Sequence, residues 1–510
     1  MKPSARPARS PRSLTPRPPS PQENPVTPAS EHQISRENRL VITALVTATF
    51  VVILNETIMN VALPRLMAEL HIDASTVQWL ATAFMLTMSV VIPTTGFLLQ
   101  RLARRTVFIL ALGLFSAGTL LAALAPGFEV LLLARVVQAS GTAIMLPLLM
   151  TSVLTLVPIT RRGQVMGTVS IVISVAPAIG PTLSGLILQF LSWRFMFLTV
   201  LPIALAALVF GATKLGGSAE MERPRLDAIS VVLTVPAFGG LVYGLSQLGG
   251  EGTGLGPTLP LAVGVVCLVL FVARQLMLQR SGAPLLDLRA FLHPMYTIAT
   301  ALLMVGMIAL FGVIILLPIY LQHVQKLDTL ATGLLLLPGG LVMGLLSPTV
   351  GKWFDRVGPL PLTLTGTSLM TVVLFVLAFI SAETPVWLVL ALHILMSLGL
   401  ALLFTPAFTS GLNPLPPHLY SHGSAILSTL QQVAGAAGTA LLVGVMAAQS
   451  RASAASGATT SAVEAEISGF RAAFLVAACV AIASIVLAAF LRNRPSVPAG
   501  EGAEPAAAVH

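Results

Sequence analysis

Residues 297–317 read TIATALLMVGMIALFGVIILL, an uncharged run whose apolar side chains do not alternate with polar ones. Wound as a helix, a run of this length rises about 31 Å, close to the thickness of a bilayer's hydrocarbon core. A barrel strand would be about half as long and would alternate strictly between lipid and lumen. Only helices and closed barrels satisfy their backbone groups in lipid, so this stretch reads as a membrane-spanning helix.

Thirteen more runs of the same kind lie on either side. The fourteen expected spans cover residues 40–63, 77–99, 106–125, 128–151, 165–190, 195–213, 227–248, 258–279, 294–321, 329–350, 359–381, 385–410, 424–448 and 470–491. Of 510 residues, 55% are hydrophobic and 9% charged, where a soluble domain carries roughly 25% charged residues. A water-facing surface cannot be built from so few charges, because exposed apolar area drives association. The expected class is therefore an all-α polytopic protein of a cell membrane, inner or plasma.

The net charge of +9 does not point to nucleic acid. The Lys and Arg residues lie between apolar runs rather than on one face of a soluble domain. They carry topological information instead. With the N-terminus in the cytoplasm, inner segments and the span ends adjoining them hold 22 of the 28 Lys and Arg residues. The outer segments and adjoining span ends hold five, Arg65, Arg194, Lys326, Arg451 and Arg471, and Arg135 falls well inside a span. Both termini are thus expected to be cytoplasmic. The loop between the twelfth and thirteenth spans has His418 and His422 but no Lys or Arg.

Nine of the first 28 residues are proline. Such a segment cannot bury enough apolar area to offset its chain entropy, so residues 1–38 read as a disordered cytoplasmic tail. Residues 492–510 read the same way. The start has no apolar core of a secretory signal, although its Arg and Ser content also fits an organelle transit peptide. Cys267 and Cys479 both sit in apolar runs, so neither a disulfide framework nor a zinc site is expected.

The chain repeats itself. Gly96-Phe-Leu-Leu-Gln100-Arg101-Leu-Ala-Arg104-Arg105 follows the second span, and Gly351-Lys352-Trp-Phe-Asp355-Arg356-Val-Gly358 follows the tenth. Each sets a glycine at the end of a span, then a polar residue and an arginine four and five positions on. The simplest account is two six-helix bundles, residues 39–213 and 291–491, separated by two inserted helices within 214–290. Parallel repeats of this kind are a transporter architecture.

No phosphate loop of the G-x-x-x-x-G-K-[ST] kind and no Ser/His/Asp set at recognisable spacing occurs. No enzyme activity, cofactor or metal is expected, and any pumping must draw on an ion gradient or a partner. Two ionisable residues lie well inside spans, Glu56 and Arg135. Placing either at mid-bilayer costs about 2.5–3.5 kcal/mol, which marks each as a functional candidate. Glu56 lies two turns before Pro64 and Arg135 two turns into the fourth span, at similar depth. A carboxylate poised between burial and a cationic neighbour can take up and release a proton as its exposure changes. The alternatives are that Glu56 bonds a neighbouring helix and that Arg135 braces the first and fourth helices.

Polar and Met side chains within the spans, Asn55, Asn60, Gln138, Met85, Met145 and Gln431, are candidates for lining a substrate cavity. Met adapts to varied partners, but the same residues serve equally as core. The fifth span has small residues every three or four positions around Gly180, Pro181 and Gly185, which suits a tight helix crossing. Arg101, Arg104 and Arg105, with Lys352, Asp355 and Arg356, are expected to pair across helix ends and lock one conformation.

These residues resemble the fourteen-span, drug:proton antiporter branch of the major facilitator superfamily. Leu54-Asn55-Glu56-Thr57-Ile58-Met59-Asn60-Val61-Ala62-Leu63-Pro64 is similar to its first-helix motif, and Gly96 to Arg105 to the loop motif after helix 2. Arg135-Val-Val-Gln138-Ala-Ser-Gly141 resembles the helix-4 motif, Gly180-Pro181 with Gly185 the helix-5 motif associated with export, and Trp193-Arg194-Phe195-Met196-Phe197 a further pattern of the branch. Asn55 and Gln100 stand where the branch usually has Asp. The carboxylate of the first motif appears one residue later, at Glu56, about 100° around the helix.

The resemblance implies multidrug efflux: proton-coupled export of hydrophobic or cationic small molecules by alternating access, with Glu56 and Arg135 handling the proton. The expected partners are a small-molecule substrate, protons and the lipid bilayer, with no nucleic acid, in a monomer. The alternatives are an uptake symporter of a small organic solute and a non-transporting membrane sensor or scaffold.

Overall fold

The computed structural model describes residues 34–215, 227–248, 256, 258–281, 284–456 and 461–491, and the terminal tails read as disordered lie mostly outside these residues. Helices α1 (Arg36–Leu70), α2 (Ala74–Arg101), α3 (Arg104–Ala123), α4 (Phe128–Leu156), α5 (Arg162–Phe190) and α6 (Arg194–Lys214) are the first six spans. The seventh is two helices, α7 (Ala228–Thr234) and α8 (Gly240–Leu248), joined by a π turn over Val235–Gly239. The eighth is α9 (Thr258–Ser281). The ninth to fourteenth are α10 (Pro294–His323), α11 (Thr329–Val357), α12 (Pro359–Leu377), α13 (Val386–Leu412), α14 (Tyr420–Ala455) and α15 (Ala462–Ala489). Fourteen spans are long and apolar enough to cross a membrane, and no strand occurs among the described residues.

Capping side chains fix where several helices begin. Ser35, Asp73, Asp227, Asp328 and Ser461 each accept a hydrogen bond from the backbone N–H three residues on, satisfying a donor the helix cannot. The Ser35 cap starts α1 at Arg36, inside the expected tail. Helix α1 then overruns its expected span, continuing past Pro64 until His71 closes it at φ 51°. Hydropathy marks what lipid requires, whereas caps mark where the backbone stops, so the two boundaries differ. Gly358, at φ 81°, separates α11 from α12 in a conformation that disfavours a side chain.

Helix α1 packs on α4, α5 and α6, while α3 lies against α4 and α6, and α2 against α4. In the later part α10 packs on α13, α14 and α15, α12 on α13 and α15, and α11 on α13. The two sets meet along α5 and α11, and along α2 and α14. The inserted helices pair with each other and touch α2 and α14. Most of α4 is buried and most of α9 is exposed, so α4 is central and α9 is a lipid-facing helix.

Small residues make the α5–α11 seam possible. A Cβ at Gly167 would meet Ser347 and Pro348, one at Gly340 would meet Ala178, and one at Gly344 would meet Val175. Their absence lets the helices approach closely, which supplies the dispersion contacts that hold helices together where hydrophobic transfer does not.

Candidate functional site

Two turns of α1 and α4 carry the polar centre. On α4, Arg135 and Gln138 are one turn apart and fully buried. The Arg135 guanidinium donates from Nη1 to Gln138 Oε1 at 3.1 Å and from Nε to the Leu80 carbonyl of α2 at 3.3 Å. Its Cζ lies 4.0 Å from the centroid of the Phe84 ring, also on α2. The Gln138 amide donates to Asn55 Oδ1 of α1 at 3.2 Å and to Thr119 Oγ1 of α3 at 2.9 Å. One amide thus joins three helices, Arg135 adds α2 as a fourth, and each buried polar group of the network has a partner, as burial demands.

Glu56 stands outside that network. It is the next residue on α1 after Asn55, is half-buried, and makes no hydrogen bond or ion pair among the described residues. Arg135 lies near enough for the two charges to act on each other, without a salt bridge. The buried cation is held by a carbonyl, an amide and an aromatic face, which leaves the carboxylate free. Such a group can gain or lose a proton, or accept a cation, without breaking a bond in its surroundings.

The other expected cavity residues divide. Asn55 and Gln138 are buried and bonded to each other, and Met145 is fully buried in the α4 core. Met85 is half-buried on α2. Gln431 is mostly buried on α14, and its amide makes no hydrogen bond among the described residues. The Asn60 and Pro181 side chains lie outside the described residues. Gly180 packs against Thr57, the neighbour of Glu56, so closely that a Cβ would overlap it. Gly185 faces open space, so only the first glycine of the pair makes a helix crossing.

At the end where α5 begins, hydrogen bonds join the two helix sets. Asp355 of α11 accepts from the backbone N–H groups of Gly163 and Gln164, each at 3.1 Å. Gln100 Nε2 of α2 lies 2.8 Å from His422 Nε2 of α14. Arg162 donates from Nη1 to Asn413 Oδ1 at 3.1 Å and to the Tyr420 hydroxyl at 3.4 Å. Deeper along the seam, Thr405 donates to Ser170 Oγ at 2.9 Å. Among the described residues, every hydrogen bond between α1–α6 and α10–α15 belongs to this end and its seam.

Among the described residues no ion pair joins Asp355 to Arg101, Arg104, Arg105, Lys352 or Arg356. Asp355 is taken by the α5 N-terminus, whose free N–H groups and dipole favour an anion. Arg104 donates to Thr155 Oγ1 at 2.9 Å, and Arg101 lies 5.7 Å from the Phe97 ring centroid. Arg105, Lys352 and Arg356 are exposed. Gly351 packs on Gly163, and Gly96 against His422.

Sequence reasoning passed over Arg162. It is buried and also donates to the Val157 and Leu154 carbonyls, but next to Arg161 it reads as one more topological charge. Phe84 and Thr119 carried no signal either, being ordinary apolar and hydroxyl residues of spans.

Fourteen spans in two meeting helix sets, with a polar centre inside the first set, make the architecture of a multi-pass membrane transporter. The chain belongs to the Major Facilitator Superfamily, whose family model matches residues 45–439. It is similar to the uncharacterized MFS-type transporter YcnB of Bacillus subtilis, 41% identical over 464 residues, which cover 91% of this chain and 97% of that protein. It is similar to the lincomycin resistance protein LmrB of Bacillus subtilis, 41% identical over 80% of this chain and 85% of the relative. The multidrug resistance protein B homolog of Mycobacterium tuberculosis is 31% identical, covering 82% and 79%. The human organic anion transporter MFSD10 shares the fold at a TM-score of 0.62 and 16% identity, over 88% of this chain and 99% of that one. The proton:xylose symporter XylE does so at 0.61 and 14%, over 90% and 97%.

Proposed function

We propose that this transporter exports hydrophobic or cationic drug-like molecules by alternating access, driven by protons entering through Glu56. The observation that carries the reading is the free Glu56 carboxylate beside the buried and separately satisfied Arg135. A charge held inside a span at a cost of about 2.5–3.5 kcal/mol, and left without a partner, is suited to titration rather than to bracing.

In this reading the two six-helix bundles, 39–213 and 291–491, rock about the α5–α11 seam, with the insert of 214–290 at their side. Both termini are cytoplasmic, in keeping with the charge bias of the loops, and the functional unit is a monomer. The bonded end, with Asp355, Arg162 and Gln100, is then the closed cytoplasmic gate, and Glu56 opens to the outside. Met85 and Gln431 face the cargo, while Asn55 and Gln138 set the orientation of Arg135. The names of the lincomycin and multidrug resistance relatives support a drug-like cargo.

The test is proton release from weakly buffered purified protein on adding lincomycin or ethidium. Release that disappears in Glu56→Gln is expected. No release, together with transport unaffected by Glu56→Gln, contradicts the mechanism. Retention of the same compounds in cells with and without the protein fixes the direction: export lowers retention and uptake raises it.

A further inference from the structure

A cleft of about 430 Å³ opens between α2 and the seventh span, away from the polar centre. Its walls are Leu86, Thr87 and Val90 of α2, and Val235, Gly239, Gly240 and Tyr243 around the π turn. The volume falls within the roughly 300–1,000 Å³ of small-ligand pockets. The lining is almost wholly apolar, and Val235 on its wall is 54% exposed.

The cause is local. Pro236 cannot donate a ladder hydrogen bond, and the backbone widens into a π turn there. Gly240, Gly244 and Gly264 bring the inserted helices together so closely that a Cβ at any of them would crowd the partner backbone. At Gly239 the opposite holds: a Cβ would lie 3.7 Å from Val90 Cγ2, in ordinary contact. The seventh span thus leans on α9 and leaves a gap beside α2.

The gap has a direction. At one end Trp79 stacks on Tyr243, with ring centroids 5.7 Å apart. Trp79 is 42% exposed, one turn and a half from the start of α2, where aromatic side chains mark the membrane interface. Along the seventh span the lining runs from Tyr243 to Val235, about 12 Å of helix rise, somewhat under half the hydrocarbon core. The Tyr243 hydroxyl makes no hydrogen bond among the described residues. The groove therefore runs from an interfacial aromatic pair to mid-membrane, with a free donor near its outer end.

We infer that this groove holds one acyl chain of a membrane phospholipid, its ester or headgroup oxygens beside the Tyr243 hydroxyl. The volume, the apolar walls, the exposed Val235 and the aromatic pair at one end match a chain anchored at the interface. About a quarter-turn around α2 from the groove, Phe84 and the Leu80 carbonyl face Arg135, so the chain lies against the helix that holds the buried cation.

The experiment uses the full protein in nanodiscs of phosphatidylethanolamine doped with an analogue carrying a diazirine in mid-chain. After irradiation, adducts are mapped by mass spectrometry. Expected are adducts at residues 86–90 and 235–243 in several-fold excess over Val266 and Val269 of α9, which simply face lipid. Gly239→Phe and Val90→Phe fill the groove from opposite walls, and in whichever folds, those adducts fall to the α9 level while α9 labelling is unchanged. Labelling equal to that of α9, or unchanged in both variants, overturns the assignment. A third arm uses a small diazirine arene in place of the lipid probe. If the arene labels the groove and the phospholipid does not, the site takes a membrane-dissolved small molecule, and the acyl-chain assignment is overturned.

Discussion

The Asp355 carboxylate of α11 accepts a hydrogen bond from the backbone N–H of Gly163 in the first turn of α5, at 3.1 Å. A side chain from the later helix set thereby caps a helix of the earlier one, and the same carboxylate takes the N–H of Gln164. Any motion that separates the two sets at this end must break both bonds and expose the α5 terminus.

Asp355→Ala removes a cap, a change that costs about 0.5–2 kcal/mol. The population open at this end is expected to rise between about two- and thirtyfold. Spin labels at Arg161→Cys and Lys352→Cys, both exposed positions, report the separation once Cys267 and Cys479 are replaced. An unchanged distance distribution would show that the cap does not hold the end shut.

Gly180→Ala forces a methyl into Thr57, whereas Gly185→Ala enters open space. Overpacking typically costs about 1–3 kcal/mol. Gly180→Ala should lower the melting temperature in detergent and slow transport, and Gly185→Ala should change neither. Equal effects of the two would refute the packing described here.

Gln138→Leu strands Asn55 Oδ1 and takes one hydrogen bond each from Thr119 Oγ1 and the Arg135 guanidinium, which keep the Phe115 and Leu80 carbonyls. An unsatisfied buried polar group costs about 1–3 kcal/mol. The variant should melt well below the parent, and Gln138→Glu, which keeps the acceptor for Arg135, should recover part of the loss. Thermal unfolding followed by tryptophan fluorescence gives both values.

Much of this arrangement was legible beforehand, and the reason differs from place to place. Residues 297–317 announce a span because lipid tolerates little else, and Glu56 and Arg135 stand out because charge in hydrocarbon is costly. The partners of a group are another matter. Arg161 and Arg162 are alike in sequence, yet one is exposed and the other bridges Asn413 and Tyr420. Gly180 and Gly185 look equivalent, yet only one meets a neighbouring helix. Pro236 foretells a disturbed helix, but the cleft beside it depends on how closely Gly240 and Gly264 let α8 and α9 approach. Each of these is decided by tertiary packing, which leaves no local trace.

Asp227 offers a pH test outside the spans. The Arg274 guanidinium grips it through two bonds, at 2.6 and 2.7 Å, and with the Ser230 bonds this outweighs desolvation and holds the carboxyl well below the usual carboxylate range. A depressed folded value means the stabilisation is fully present above the unfolded value of about 3.9 and is lost as pH falls towards the folded one. Asp227→Asn should therefore lower the melting temperature at neutral pH, and the gap from the parent should narrow below about pH 4. A gap independent of pH would mean that the charge of Asp227 contributes nothing.

The central claim is that the Glu56 carboxylate carries the driving proton, and the most direct measurement compares two modes of transport in proteoliposomes. In one, an imposed pH gradient drives ethidium or lincomycin uphill. In the other, the same compound exchanges at equal pH on both sides. Glu56→Gln should abolish uphill accumulation while leaving exchange close to the parent rate. Uphill accumulation that survives in Glu56→Gln would show that the proton travels elsewhere.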